Sequence, residues 1–161
     1  MGIVPEAEVE RLLARNRRAR HEYLILEQIE AGIELRGTEI RSLRQGGAQI
    51  TEAYVRIEHG EAWLHGAHIQ PYAFGNRQNH EPGRSRRLLL HRREINRLAG
   101  MVRQPGVAVV PLDLHLSHNH VKVGLAVGQG KRTYDKRAAL AEREARRQME
   151  RAVRREWKTG V

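Results

Sequence analysis

The chain has 161 residues, of which 40% are hydrophobic and 30% charged, a size and composition that suit one folded domain with tails. Its 29 Lys and Arg against 19 Asp and Glu give a formal net charge of +10, which favours a polyanionic partner such as nucleic acid or an anionic membrane. The absence of cysteine excludes disulfides, and no apolar run approaches the roughly 18 residues of a membrane span, so we expect a cytoplasmic protein without membrane contact.

The first residues predict a short amphipathic helix. Pro5 stands near its start, and Val9, Leu12 and Leu13 share one face. One apolar stripe has little to pack against. We therefore expect residues 1–15 to be a mobile N-terminal segment ahead of a domain that covers residues 16–130.

Five segments alternate apolar and polar residues as strands do. The first begins at Tyr23 and ends at Leu35, with Gly32 as an expected bulge. The other four are predicted over residues 53–58, 62–69, 107–116 and 120–127, in two hairpins with turns at 59–61 and 117–119.

Two short helices interrupt this pattern. Thr38, Ile40 and Leu43 predict a helix over about 38–45, and the apolar spacing over 88–100 predicts a second, placed near 91–100. A long loop spans 71–87 between them. The order strand, helix, hairpin, helix, hairpin is not that of a parallel sheet, so we predict a mainly β protein with an OB-like antiparallel β-barrel from about Tyr23 to Val127.

The composition changes after Gly130. Residues 131–161 contain eleven Lys or Arg and five Asp or Glu, a local net charge of +6. The helical stripe of this segment is mostly alanine, which buries too little area to dock on a barrel. We expect a basic C-terminal tail that is disordered when free and becomes helical on a charged partner, with a length of about 36 Å from Asp135 to Lys158.

The sequence offers no convincing catalytic site. Gly128 to Thr133 resembles a phosphate loop, but Leu125 and Arg132 occupy positions that need glycine and Ser or Thr. No catalytic triad or carboxylate pair follows from spacing. A metal site is an open alternative on the last hairpin, at Asp113, His115, His118 and His120. We expect no enzyme activity, no cofactor and no bound metal.

Basic side chains form three clusters that predict one continuous track for RNA phosphates. They precede the first strand, lie in the long loop, and begin the tail. Their members are Arg15, Arg17, Arg18 and Arg20; Arg84, Arg86 and Arg87; and Lys131, Arg132, Lys136 and Arg137.

At these clusters the sequence resembles the small protein B (SmpB) family, the SsrA-binding proteins of bacterial ribosome rescue. The resemblance rests on five blocks in the family's order: Asn-Arg-Arg-Ala-Arg-His-Glu-Tyr at 16–23, Glu-Ala-Gly at 30–32, Gly-Thr-Glu-Ile-Arg-Ser-Leu-Arg at 37–44, Asn-His-Glu-Pro at 79–82 with Arg-Leu-Leu-Leu-His at 87–91, and Gly-Lys-Arg-Thr-Tyr-Asp-Lys-Arg at 130–137. It implies an OB-like barrel that binds the transfer-RNA-like domain of transfer-messenger RNA (SsrA RNA). It further implies delivery of this RNA, with elongation factor Tu and GTP, to stalled ribosomes for tagging of the nascent peptide. We expect the protein to be a monomer.

The resemblance also implies roles for single residues. Four positions match RNA contacts: Glu30, Leu89, His91 and Lys122. His21 matches a position near the decoding centre, and Gly130, Tyr134, Asp135, Lys136 and Arg137 match the root of a tail that enters the empty messenger channel of the small subunit. With the basic clusters, this adds Arg17, Arg18, Arg20, Arg87, Lys131 and Arg132 to the expected RNA contacts. His91, His115, Gly124 and Arg132 depart from the family's usual residues.

Two other functions fit the same composition. A general ribosome-associated or structured-RNA-binding barrel protein would carry the same charge without preferring a transfer-RNA-like shape. A nucleic-acid-processing enzyme would depend on a divalent metal.

Overall fold

The computed structural model of the chain describes residues 11–158, and this part is mainly antiparallel β-sheet with a few helices. The prediction of a mainly β protein is therefore confirmed at this level. The strands are β1 Arg11–Arg15, β2 Tyr23–Ile33, β3 Ala48–Gln49, β4 Tyr54–Glu58, β5 Glu61–His65, β6 His68–Ile69, β7 Arg86–Leu89, β8 Val107–Ser117 and β9 His120–Gly130. The helices are α1 Ala19–Glu22, α2 Gly37–Arg44, α3 Arg92–Met101 and α4 Lys131–Lys158, with one 3-10 turn, Asn76–Gln78.

Strand pairing follows a closed circuit. Starting from β8, the paired neighbours are β4, β5, β7, β2 and β9, and β9 pairs with β8 again. Every pairing in this circuit is antiparallel, and the short strands β3 and β6 pair separately. His118 and Asn119 turn β8 into β9 with φ of 50° and 64°, the left-handed backbone that a two-residue hairpin requires.

The core inside this circuit is aliphatic. Leu64, Leu88, Val123 and Leu125 are fully buried within one cluster of Leu, Ile, Val and Ala side chains drawn from most of the strands. Burying such residues supplies the main favourable free energy of folding.

The N-terminal prediction is wrong where the structure describes it. Residues 11–15 form β1 instead of a helix, and β1 pairs antiparallel with β8 from Arg11 opposite Leu116 to Arg15 opposite Asp113. Leu13 is buried while Leu12 is 44% exposed, so the two leucines point to opposite sides, as in a strand. These five residues belong to the sheet, and residues 1–10 of the predicted segment lie outside the described residues.

The two helices predicted near 38–45 and 91–100 are confirmed as α2 and α3. The backbone N–H of Arg36 donates to Glu39, and that of His91 donates to Glu94, so each helix starts with a carboxylate that satisfies a free N–H. The wider range 88–100 is wrong at its start, because Leu88 and Leu89 belong to β7.

The bulge predicted at Gly32 is also misplaced. Gly32 lies in regular pairing with both Leu89 and Lys122, and the irregularity in β2 falls between Ile25 and Glu27. A Cβ at Gly32 would lie 3.1 Å from the Cβ of Leu89, so the glycine instead serves the close approach of β7.

The tail forms a single helix, α4, of 28 residues. All its side chains are exposed except Thr133, which is partly buried. This matches the expectation that the alanine stripe does not dock on the sheet. Between residues 11 and 158, none of the helices has the length and apolar character needed to cross a membrane.

Candidate nucleic-acid interface

The basic cluster before β2 surrounds α1. Asn16 anchors this turn, since its side chain donates to the Pro111 carbonyl at 2.9 Å and accepts from the Ala19 N–H at 3.2 Å. With Asn16 and Ala19 buried, Arg17, Arg20 and His21 are left exposed.

A shallow concavity opens beside this turn. It has a volume of about 410 Å³, and its lining residues are Arg15, Arg17, Arg18, His21 and Thr51. Arg18 is partly neutralised, with Nη1 2.5 Å from Glu52 Oε1 and Nε 3.7 Å from Glu22. Arg15 and Arg17 therefore supply most of the positive potential here, and the concavity can accept a phosphate group.

The basic cluster of the long loop is not a phosphate track. Arg86 is fully buried, with Nε 2.5 Å from Glu39 Oε2, and it also donates to the carbonyl oxygens of Ala67, Pro82 and Arg84 at 2.9–3.0 Å. Arg84 also donates to the Glu39 carboxylate. Both arginines bind the Glu39 carboxylate and carbonyl groups within the protein. The prediction that all three basic side chains of this cluster face RNA is therefore wrong for Arg84 and Arg86.

The surrounding arginines stabilise the charged form of the Glu39 carboxylate. Burial alone would raise the pKa of its carboxyl, but hydrogen bonds from Arg84, the Arg36 backbone and Arg86 outweigh burial and place the pKa below the usual value. Arg87 is the exposed member of the cluster, with Nε 3.4 Å from Glu61 and Nη1 3.9 Å from Glu34. It stays a candidate RNA contact.

Three of the four RNA positions implied by the resemblance lie on adjacent strands. Leu89 on β7 is opposite Gly32 on β2, and Gly32 is opposite Lys122 on β9. Glu30 is two residues from Gly32 and so shares its side of the sheet. Leu89 is 49% exposed, whereas its neighbour Leu88 is fully buried, so this row faces away from the core. We call Glu30, Leu89 and Lys122 the outer face.

His91 sits two residues beyond Leu89 as the N-cap of α3, and its side chain is exposed. Its backbone N–H is bound to Glu94 Oε1 at 3.0 Å, which fixes the start of the helix. The imidazole is left open to solvent and to a partner.

The outer face continues into an acidic and imidazole cluster that sequence reasoning did not assign to RNA. Asp113 and His115 lie on β8, and Asp113 Oδ1 is 2.7 Å from His115 Nδ1. The Nε2 of His115 is 3.9 Å from Glu30 Oε1, too far for a hydrogen bond. The hydrogen bond to Asp113 raises the pKa of His115 more than burial lowers it, and the charges of Asp113 and Glu30 add to this while Lys122 opposes it.

The sequence offers Asp113 and His115 as metal ligands only together with His118 and His120. The structure instead pairs Asp113 and His115 with Glu30 of another strand. Across residues 11–158, no three His, Cys, Asp or Glu side chains are grouped as metal ligands would be. A two-residue spacing signals a shared strand face, but the partner strand cannot be identified without the fold.

The tail root is fixed to the β-sheet. The backbone N–H of Gly130 donates to the Gly106 carbonyl at 2.9 Å, and Arg137 Nη2 donates to the Pro105 carbonyl at 3.0 Å. Thr133 packs so closely on Gly106, whose φ is +79°, that a Cβ there would lie 2.7 Å from its methyl group. The remaining predicted residues of the root are exposed: Lys131, Arg132, Tyr134, Asp135 and Lys136.

The ladder between β2 and β9 separates the predicted residues into two groups. At one end Tyr23 is opposite Gly130, which brings α1 and His21 beside the tail root. Toward the other end Gly32 is opposite Lys122, at the outer face. Nine residues of strand place the groups roughly 30 Å apart. His21 therefore lies near the tail root at one end of the ladder, and the outer face lies toward the other end.

Comparison with known proteins places the whole arrangement in one family. The family model described as SmpB protein matches residues 13–155. The SsrA-binding protein of Carboxydothermus hydrogenoformans is 49% identical over 146 residues, which cover 91% of this chain and 98% of the relative. That of Desulforamulus reducens is 54% identical over 140 residues, covering 86% of this chain and 87% of the relative.

A solved structure shares the fold. The chain described under "tmRNA-SmpB: a journey to the center of the bacterial ribosome" superimposes with a TM-score of 0.63 and 46% sequence identity. The match covers 73% of this chain and 83% of that chain.

Proposed function

The chain belongs to the SmpB family, and on this premise we propose that it binds SsrA RNA, the transfer-messenger RNA, and acts with it in trans-translation on the ribosome. The relatives are SsrA-binding proteins over nearly their whole length, and the solved neighbour is described with transfer-messenger RNA and the ribosome. The net charge of +10 suits both partners.

The observation that carries this proposal is the row Leu89, Gly32 and Lys122 across three strands, with Glu30 beside it. We propose that this outer face and His91 contact the transfer-RNA-like domain. Lys122 supplies charge for phosphate, Glu30 can accept hydrogen bonds from ribose hydroxyls or base N–H groups, and Leu89 offers exposed apolar surface for a sugar or base. Arg87, on the same strand as Leu89, adds a further cation.

The scaffold of this face is proposed to be an OB-like barrel. The closed circuit of six strands, the aliphatic interior and the two inserted helices support this assignment. A closed arrangement suits RNA recognition because it holds side chains from several strands in fixed positions.

We further propose that the group at the other end of the ladder works on the ribosome. His21, with Arg17, Arg18 and Arg20, is assigned to the decoding centre, and Gly130, Lys131, Arg132 and Tyr134 to Arg137 to the tail root that follows it. The separation of roughly 30 Å supports this division, because one molecule can then hold RNA at one end and ribosome at the other.

The tail is proposed to enter the empty messenger channel. Beyond its root, α4 carries exposed side chains and no buried apolar residue, so the helix gains little from the rest of the chain. The tail is therefore proposed to lose its helix when free and to regain it against ribosomal phosphates. Elongation factor Tu with GTP is proposed to reach the complex through the RNA.

We propose no enzyme activity, cofactor or metal for this chain, and we propose that it acts in the cytoplasm as a monomer. The outer face holds charged and apolar groups suited to binding, and its one carboxylate, Glu30, lies beside His115.

The direct experiment is to recover the protein from bacterial cells under native conditions and sequence the RNA that accompanies it. SsrA RNA should be the enriched species, and Lys122→Glu should remove the enrichment. Arg103→Glu, an exposed charge with no proposed role, is the matched control and should leave the enrichment unchanged. Recovery of mixed structured RNA without SsrA enrichment would favour a general RNA-binding protein.

A further inference from the structure

Four side chains form a compact polar cluster on three adjacent strands at the outer face. His115 on β8 is opposite Lys122 on β9, while Asp113 on β8 and Glu30 on β2 are both opposite Gly124. Gly124 makes room for this cluster, because a Cβ there would lie 2.8 Å from Asp113 Oδ1. Any larger residue at this position would push the Asp113 carboxylate away from His115.

The geometry of the imidazole favours its protonated form. Asp113 Oδ1 is a hydrogen-bond acceptor 2.7 Å from Nδ1, so Nδ1 carries a proton. In a neutral ring, Nε2 would then present a lone pair to the Glu30 carboxylate 3.9 Å away. In the imidazolium, Nε2 presents an N–H to the same carboxylate. Nε2 has no hydrogen-bond partner among the residues that the structure describes, and only 2% of the His115 side chain is exposed.

We infer that His115 is a positioning residue of the RNA surface, whose imidazolium orients Glu30 and offsets the two carboxylates beside Lys122, and that SsrA RNA binding weakens when His115 loses its proton. This inference rests on the proposed function. It adds to that function a residue that acts through its neighbours, since the buried ring of His115 leaves contact with RNA to Glu30 and Lys122.

The charges that face the His115 imidazole decide whether loss of its proton strengthens or weakens RNA binding. These are Asp113 on its own strand, Glu30 on β2 and Lys122 on β9. With His115 protonated, the four groups sum to zero charge, and without that proton they sum to −1. RNA phosphates approach the neutral cluster more readily, so affinity should be high at low pH and fall as pH rises through the pKa of His115. Because that pKa is raised above 6.5, the fall lies above pH 6.5.

The test measures the dissociation constant of the full chain for the transfer-RNA-like domain at fixed salt, from about pH 6 to about pH 9. The unchanged protein should lose about threefold to tenfold in affinity over this range, tenfold being equivalent to one unit of pKa change on binding. His115→Gln should bind with an affinity that varies little with pH. His59→Asn removes an exposed imidazole in the β4–β5 turn and should keep the original profile.

A second measurement does not depend on the folding of His115→Gln. Nuclear magnetic resonance titration of labelled histidine in the unchanged protein should place the pKa of His115 above 6.5, and Asp113→Asn should lower it. RNA should raise it further. The inference is overturned if the unchanged protein binds equally well at all pH values, if His115→Gln keeps the decline, or if His115 titrates below 6.5. Tight but pH-independent binding would reject this inference alone, whereas no binding at any pH would also reject the proposed function.

Discussion

Arg86 and Glu39 form a buried ion pair, with Nε 2.5 Å from Oε2 and neither side chain exposed to solvent. The pair joins α2 to β7 through two residues that are 47 positions apart in the chain. It also fixes the long loop, because Arg86 donates to the carbonyls of Pro82 and Arg84. The orientation of β7, and hence of Leu89, depends on this contact.

Arg86→Met is expected to destabilise the protein by about 3–5 kcal/mol, since it leaves the Glu39 carboxylate buried without one of its two arginine partners. Chemical denaturation monitored by circular dichroism measures the change. The control is Arg87→Met on the next residue, whose exposed ion pairs should contribute less than about 1 kcal/mol. Similar losses of stability in both variants would show that the buried ion pair stabilises the protein no more than the exposed pairs do.

Glu39 should also make stability depend on pH. Its folded pKa lies below the unfolded value near 4.5, so its contribution is present above pH 4.5 and is lost as pH falls through the folded pKa. The midpoint of denaturation should therefore drop between neutral and acidic pH, and the drop should be smaller in Glu39→Gln. An equally steep decline in that variant would assign the acid sensitivity to other carboxyls.

Leu89 and Leu88 should separate binding from folding. Leu89→Ala removes exposed surface from the outer face and is expected to weaken RNA binding by about tenfold or ~1.4 kcal/mol, with stability nearly unchanged. Leu88→Ala opens a cavity in the core and should cost about 2–5 kcal/mol of stability. Binding titrations give the RNA affinity of each variant, and denaturation curves give its stability. If Leu89→Ala bound RNA as tightly as the unchanged protein, the outer face would be wrongly assigned.

The tail should be needed on the ribosome and dispensable for binding the RNA. Removing residues 138–161 keeps the root contacts of Gly130, Thr133 and Arg137, so folding and affinity for SsrA RNA should be nearly intact. Tagging on stalled ribosomes should fail because the phosphates of the messenger channel lose their basic partner.

Two controls sharpen the tail experiment. A protein whose residues 138–158 are replaced by Gly and Ser of equal length should also fail in tagging, which separates charge and helix from length. Circular dichroism of the isolated segment should show little helix. Normal tagging by the truncated protein would contradict the proposed role of the tail.

Local patterns in the sequence were sufficient to predict the long strands. β8 and β9 alternate apolar and polar residues on either side of a polar turn, at 112–117 and 120–125, so the hairpin could be predicted and its bounds placed closely. Helices α2 and α3 were also predicted from local patterns, namely the helical spacing of their apolar residues. β1 was not, because five residues with adjacent leucines fit a helical stripe equally well until β8 offers a partner.

Some candidate site residues could likewise be predicted from the sequence, whereas other contacts required the fold. The resemblance implies Glu30, Leu89 and Lys122 as candidate RNA contacts, and strand register places them on one face of the sheet. The burial of Arg86 could not be predicted, because its neighbours are basic loop residues and its partner Glu39 is distant in sequence. The contact between His115 and Glu30 likewise requires the order of three strands, which no spacing within one strand reveals.

Selective recognition of SsrA RNA can be measured by a competition experiment. Labelled transfer-RNA-like domain bound to the full chain is challenged with the same RNA unlabelled, or with unrelated duplex RNA of equal length, at about physiological salt. Displacement by duplex RNA should need a concentration ~100-fold or more higher than displacement by the cognate RNA. Equal displacement by both RNAs would contradict selective recognition of SsrA RNA.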